Sequence, residues 1–182
     1  LTPPSFQFQY HRANWAGPAF VLCVFGVLSV FYGGYVLPRL VEAMRTRPGL
    51  LVAAAGLGAA FGIIPRTTSG GDDDFLAGRR TGLWEIAATL KAHGVPFMAN
   101  HTSPFIVALA ILGAVALGAL IASWRASPRL IIIAAFLGYG LAMAQGGELW
   151  QRYAEPFALL MMIVVIGLES RMREMPESTS PT

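Results

Sequence analysis

The stretch LWQRYAEPFALLMM, residues 149–162, places Arg152, Tyr153 and Glu155 against a long apolar run. An arginine suits phosphate because its planar guanidinium gives paired, charge-assisted hydrogen bonds. Glu148, Arg152 and Glu155 are spaced i, i+4 and i+7, which puts them on roughly one face of a helix. We therefore interpret Arg152 in two ways: as an arginine held by carboxylates that orients an anion, or as a plain interfacial anchor.

A second pair of arginines, Arg79 and Arg80, directly precedes the sequence TGLWEIAATLK at residues 81–91. The apolar residues of that stretch recur at helical spacing, with Glu85 on the other face, which predicts a short helix lying in the membrane interface. An ordinary soluble amphipathic helix is the alternative. The two arginines could bind a lipid headgroup or phosphate, or could be generic anchors.

Other polar groups favour simpler interpretations. Residues 72–74, three consecutive aspartates beside glycines, are typical of a solvated turn, although carboxylates could bind a divalent cation. His93 and His101 have no sequence-local partner for acid–base chemistry, and Asn100 starts a glycosylation sequon very close to an apolar run. The single cysteine, Cys23, cannot form an internal disulfide. We expect no metal and no cofactor.

The composition points to a membrane protein. Hydrophobic residues make up 55% of the 182 residues and charged residues only 13%, against about 25% charged in globular domains. The mean hydropathy is +0.57. The net charge of +3 comes with no basic stripe interleaved with aromatic residues, so we expect no nucleic-acid partner.

The apolar runs predict an all-α, polytopic helical bundle in one domain, residues 1–170, followed by a disordered cytoplasmic tail, residues 171–182. Runs of this length without alternation exclude a transmembrane barrel. The small-residue pairs Gly58/Gly62 and Ala134/Gly138 suggest helix contacts. We expect about five spans, near residues 15–37, 49–64, 105–123, 130–147 and 152–168, with the interfacial helix inside an outer loop at 65–104.

The charges of the connecting segments predict the orientation. One side carries seven basic residues in short segments: Arg39, Arg45, Arg47, Arg125, Arg129, Arg171 and Arg173. The other side carries six in roughly twice the length. The positive-inside rule then places the C-terminus in the cytoplasm and the N-terminus outside it. The outer loop and the turn at 146–155 would then share the extracytoplasmic face of the membrane.

Three stretches resemble a known family. GRRTGLWEIAATL (78–90), SPFIVALAILGAVALGALIASW (103–124) and WQRYAEPFALLMM (150–162) are similar to the C-terminal membrane half of GT-C type glycosyltransferases, especially the bacterial dolichyl-phosphate-mannose mannosyltransferase-like group. These polytopic enzymes use a polyprenyl-phosphate-linked sugar. The resemblance covers roughly residues 15–170. Its most distinctive parts are QRYAEP and GRRTGLW.

The resemblance implies that Arg152, Tyr153, Glu155, Arg79 and Arg80 contact or line a donor phosphate at the extracytoplasmic surface. The family's catalytic carboxylate lies in an N-terminal loop that has no equivalent here. We therefore expect the C-terminal part of a longer glycosyltransferase, with membrane lipids, the polyprenyl-phosphate sugar donor and other membrane subunits as partners. The alternative is a non-catalytic transmembrane subunit of a larger photosynthetic or respiratory complex.

Overall fold

The computed structural model describes residues 16–64, 102–122, 126–145 and 151–174. Nearly all of these residues are helical and none of them is in a strand, which confirms the all-α prediction. The helices, in chain order, are α1 (Ala16–Phe31), α2 (Gly33–Thr46), α3 (Pro48–Ile63), α4 (Pro104–Ala122), α5 (Ala126–Gln145) and α6 (Gln151–Glu174).

Helix α4 is the centre of the bundle, and α1 runs parallel to it. Leu22 and Cys23 of α1 share a buried cluster with Ile106, near the beginning of α4. Further along both helices, Phe25 shares a second buried cluster with Leu120. Residues early in α1 thus meet residues early in α4, and later residues meet later ones, so the two helices run parallel.

Helix α3 runs antiparallel to α4 on another side. A Cβ atom placed on Gly62 would lie 2.9 Å from the Cα of Val107, and one placed on Gly58 would lie 2.6 Å from the carbonyl oxygen of Ala110. Backbones this close leave no room for a side chain between the helices. The predicted glycine pair at 58 and 62 thus makes a helix contact.

The contact between α1 and α4 is equally close. A Cβ atom on Gly26 would lie 2.5 Å from the carbonyl oxygen of Leu109, and one on Gly113 would collide with the carbonyl oxygen of Leu22. By contrast, a Cβ atom on Gly138 would meet nothing within 4 Å. The second predicted small-residue pair, in α5, therefore makes no close contact within the described residues.

Helices α5 and α6 cover the remaining side of α1. Ala158 of α6 shares a buried cluster with Val21, and the rings of Tyr139 and Phe157 stack at 3.9 Å. Ile132, early in α5, lies instead in the cluster of Phe25. Helix α6 thus runs parallel to α1, and α5 runs antiparallel to both.

The segment predicted as one span at 15–37 is bent. Residues Gly17–Phe31 and Gly33–Thr46 form two helices whose axes turn by 103°. Pro38 has no N–H to donate to the carbonyl of Gly34, and its ring crowds that carbonyl. That carbonyl lies inside α2, however, whereas the turn lies at Tyr32, directly before Gly33 and Gly34, whose conformational freedom permits it.

The ends of two helices, α2 and α6, also differ from the sequence-based expectations. Most of the connection expected at 38–48 is helical, because α2 continues to Thr46. Helix α6 continues through residues 171–174, the first part of the predicted tail. The predicted interfacial helix at 81–91 and residues 175–182 lie outside the described residues.

One described helix, Pro104–Ala122, is long and apolar enough to cross a membrane, and there are two if the bent pair counts as one span. Three shorter apolar helices accompany it: Pro48–Ile63, Leu130–Ala142 and Glu155–Leu168. The number of spans therefore stays a prediction, whereas the helical class is settled.

We expect Gly113→Ala to lower the free energy of unfolding by about 1–3 kcal/mol, because the added methyl group overpacks the contact with Leu22. Thermal unfolding of the detergent-solubilised protein would measure the loss. Gly56→Ala is the matched control, since a Cβ atom there meets nothing within 4 Å. Helix propensity predicts that this control is neutral or stabilising, by up to about 1 kcal/mol. Equal effects of the two substitutions would contradict the close α1–α4 contact.

Candidate functional site

A buried hydrogen bond fixes the base of the 65–101 segment. The hydroxyl of Thr102 donates to the carbonyl oxygen of Gly62 at 2.6 Å. Gly62 lies in the last turn of α3, where carbonyl groups have no N–H partner inside the helix. Because Thr102 immediately precedes α4, this bond joins the end of α3 to the beginning of α4. Ile64 and Thr102, the described residues on either side of 65–101, therefore lie at the same end of the bundle.

Ser103 begins α4 as an N-cap. Its hydroxyl accepts a hydrogen bond from the backbone N–H of Phe105 at 3.3 Å, and Pro104 occupies the first helical position. Serine followed by proline is a known signal for a helix start. The sequence-based prediction placed this Ser-Pro pair in the outer loop at 65–104 and assigned no role to Thr102. The side chains of Thr102 and Ser103 are almost fully buried.

The beginning of α6 lies at the same end of the bundle. Phe20, near the start of α1, shares a buried cluster with Ala158, and Phe157 packs against that cluster. A Cβ atom on Gly140, late in α5, would lie 3.7 Å from Pro18. The starts of α1, α4 and α6 and the ends of α3 and α5 thus form one end of the bundle, which we call the loop end. The other end, where α2 lies, we call the α2 end.

The predicted site residues divide between described and undescribed parts of the chain. Arg152, Tyr153 and Glu155 all lie in the first two turns of α6, at the loop end. The side chain of Glu155 is half-buried, whereas the side chains of Arg152 and Tyr153 lie outside the described part. Arg79 and Arg80 also lie outside it. The structure therefore leaves any convergence of the three arginines as a prediction.

Helix α6 begins at Gln151 and includes Pro156. Arg152 and Glu155 are three residues apart on a continuous helix, so their positions share a face. Pro156 has no N–H to donate to the backbone carbonyl of Arg152. The N-terminal turn of a helix also carries partial positive charge, which favours anions. The N–H groups of this turn therefore suit an anion, whereas the carbonyl oxygen that loses its N–H partner to Pro156 suits a hydrogen-bond donor.

The described residues supply few other groups for chemistry. Glu155 is the one carboxylate that they place at the loop end, because Glu42 lies in α2 and Glu169 and Glu174 lie late in α6. Among the described residues, no group of three His, Cys, Asp or Glu side chains could hold a metal ion. The aspartates at 72–74, His93, Asn100, His101 and Glu148 lie outside them.

Comparisons with known proteins give no match to a family model, to a curated protein or to a solved structure.

We expect Thr102→Val to lower the free energy of unfolding by about 1–3 kcal/mol, because the carbonyl of Gly62 loses its buried partner while the side chain keeps its shape. Thr46→Val is the control. The Thr46 hydroxyl also donates to a backbone carbonyl, that of Glu42 at 2.9 Å, but in an exposed position. Thermal unfolding should separate the two variants. A loss at Thr46 as large as that at Thr102 would contradict the structural role of the buried bond.

Proposed function

We propose that this chain is a membrane-embedded helical bundle. The support is the apolar character of its outer surface: Val52 of α3 is 72% exposed, Ile131 of α5 67% and Ile163 of α6 62%. Water-soluble monomers rarely expose apolar surface of this extent, and a lipid environment removes its cost. Close contacts through small residues are also how helices associate in lipid, where hydrophobic burial drives little association.

We further propose that the loop end faces the extracytoplasmic side of a bacterial inner membrane. The α2 end carries Arg39, Arg45 and Arg47, and the C-terminal residues Arg171 and Arg173 belong to the same side. The positive-inside rule assigns that side to the cytoplasm. Helices α1, α3, α4, α5 and α6 would then alternate in direction across the bilayer. Helices shorter than the hydrocarbon core would be accommodated by local thinning or by neighbouring helices.

At the loop end, the proposed activity is sugar transfer from a polyprenyl-phosphate donor, with this chain as the C-terminal part of the glycosyltransferase. This proposal is supported by two observations at the loop end. Ile64 and Thr102, which flank the stretch with Arg79 and Arg80 in the sequence, lie there, and so do the first turns of α6, which contain Arg152, Tyr153 and Glu155. A donor phosphate at the bilayer surface on this side would lie near both parts of the chain.

The chemistry assigns a role to each group. When the bond from the sugar to the phosphate breaks, negative charge grows on the departing polyprenyl phosphate. Arginines aimed at that phosphate stabilise the charge in the transition state. Glu155 would hold the guanidinium of Arg152 in place, and Tyr153 would line the site. A carboxylate base, outside this set of residues, would take the proton from the acceptor hydroxyl.

A non-catalytic subunit of a larger membrane complex is the second candidate. The same exposed apolar side chains favour it, since Leu130 and Ile131 of α5 and Leu159 and Leu160 of α6 could contact other subunits instead of lipid. Purification of the native protein in mild detergent separates the two candidates. Fixed stoichiometry with other membrane proteins supports the subunit. A single polypeptide much heavier than 19.5 kDa supports the glycosyltransferase.

We expect Arg152→Ala in the full-length protein to reduce sugar transfer from a polyprenyl-phosphate donor by about 10²–10³-fold, the usual cost of removing one group that stabilises a developing oxyanion. A radiolabelled donor measures the rate. Arg171→Ala is the matched control, because it removes an arginine from the same helix at its opposite end. Wild-type activity of Arg152→Ala would refute the proposed role of this residue.

The orientation has its own test in intact spheroplasts. Ile64 lies at the loop end and is 73% exposed, whereas the exposed residue Ser170 lies late in α6. We expect a membrane-impermeant maleimide to label Ile64→Cys and to leave Ser170→Cys unlabelled until the membrane is opened. Cys23 is 0% exposed, so the parent protein should give no background. Labelling of Ser170→Cys alone would show the opposite orientation. Labelling of both variants in intact spheroplasts would refute the spanning bundle.

A further inference from the structure

Helix α2 divides into three faces. Val36, Leu40 and Ala43, spaced i, i+4 and i+7, pack toward the bundle: Val36 and Ala43 are buried in two core clusters, and Leu40 packs against one of them. This face explains why the helix stays on the bundle instead of extending away from it.

A second face is apolar and uncovered. Leu37, Val41 and Met44 repeat the same spacing one residue later, so they form a stripe beside the buried face. Their exposed fractions are 61%, 40% and 58%. Three large apolar side chains in a row on an exposed flank of the helix need a cover other than water.

The third face is polar. Arg39 and Glu42 form an exposed ion pair at 2.8 Å, and Thr46 lies on the same flank. Arg45 is exposed at the back of the helix, and the exposed Arg47 follows the helix directly. With three arginines and one glutamate, the segment carries a formal charge of +2. The pairing of Arg39 with Glu42 leaves the charge of Arg45 and Arg47 as the excess.

We propose that α2 lies in the lipid–water interface at the cytoplasmic surface, with the stripe of Leu37, Val41 and Met44 in the acyl region and with Arg45 and Arg47 against anionic phospholipid headgroups. The inference rests on the proposed membrane placement of α1. A turn of 103° after a spanning helix directs the next helix roughly along the membrane plane. A bundle-facing side, an apolar flank and a basic remainder are what an interfacial helix requires.

The experiment uses the full chain reconstituted in vesicles of phosphatidylcholine and phosphatidylglycerol. An environment-sensitive fluorophore is attached at Val41→Cys on the apolar stripe, at Thr46→Cys on the polar flank, or at Leu137→Cys, a 60% exposed position of α5. We expect lipids with nitroxides near the headgroup to quench the probe at 41. Aqueous iodide should quench the probe at 46, and deep acyl-chain nitroxides should quench the probe at 137.

Other results distinguish a wrong position of α2 from a wrong membrane placement of the whole bundle. Iodide quenching at 41, with lipid quenching kept at 137, would overturn the interfacial position of α2 and leave the membrane bundle intact. A probe at 41 shielded from both quenchers would overturn it in favour of a protein partner. Iodide quenching at 137 would overturn the membrane placement, and α2 with it.

A second measurement tests the charge. Quenching at residue 41 is compared for nitroxide-labelled phosphatidylglycerol and nitroxide-labelled phosphatidylcholine. If the anionic lipid is enriched beside α2, the ratio of quenching by labelled phosphatidylglycerol to quenching by labelled phosphatidylcholine is above one. We expect this ratio to fall to about one in Arg45→Gln/Arg47→Gln, and also at high salt, where surface charges are screened. A ratio unchanged by both substitutions would overturn the assignment of anionic headgroups to these two arginines.

Discussion

The close backbone contact of α4 with both of its neighbours is the constraint on which the bundle depends. Gly26 and Gly113 let α1 touch α4, while Gly58 and Gly62 let α3 touch it from another side. These glycines determine how near the three helices lie and therefore which residues meet along them. Cys23, whose thiol donates to the carbonyl of Ile106 at 3.3 Å, lies in the same contact. Since van der Waals packing needs no water to drive it, the arrangement suits a lipid environment as well as it suits a protein core.

The arrangement of the helix ends follows from this packing and leads to the proposed function. With α3 antiparallel to α4, Thr102 reaches the last turn of α3 and joins the end of α3 to the beginning of α4. With α6 parallel to α1, the turn that contains Arg152 comes to the same end. The opposite end receives α2 and its arginines. The proposed function places the lipid-linked phosphate at the loop end and the cytoplasmic surface at the α2 end.

The apolar runs correctly predicted the all-α class, because long apolar runs without alternation do not favour strands. The glycine pair at 58 and 62 correctly indicated a contact. The bend after Phe31 was missed, since the hydropathy of residues 15–37 does not mark the turn before Gly33 and Gly34. The contact of Gly26 with Gly113 was also missed, because the two glycines are far apart in sequence and only the fold aligns them. The roles of Arg79, Arg80, Arg152 and Tyr153 stay predictions, as their side chains lie outside the described residues.

The central claim is that the apolar exterior of this bundle faces lipid. Spin labels on neighbouring positions of α6 test it most directly in reconstituted protein: Ile163 is 62% exposed and Met162 only 1%. The account predicts that a label at 163 collides often with oxygen, which dissolves in the bilayer, and rarely with a water-soluble nickel chelate, while a label at 162 meets neither. Frequent collision of the label at 163 with the nickel chelate would contradict the membrane-embedded bundle.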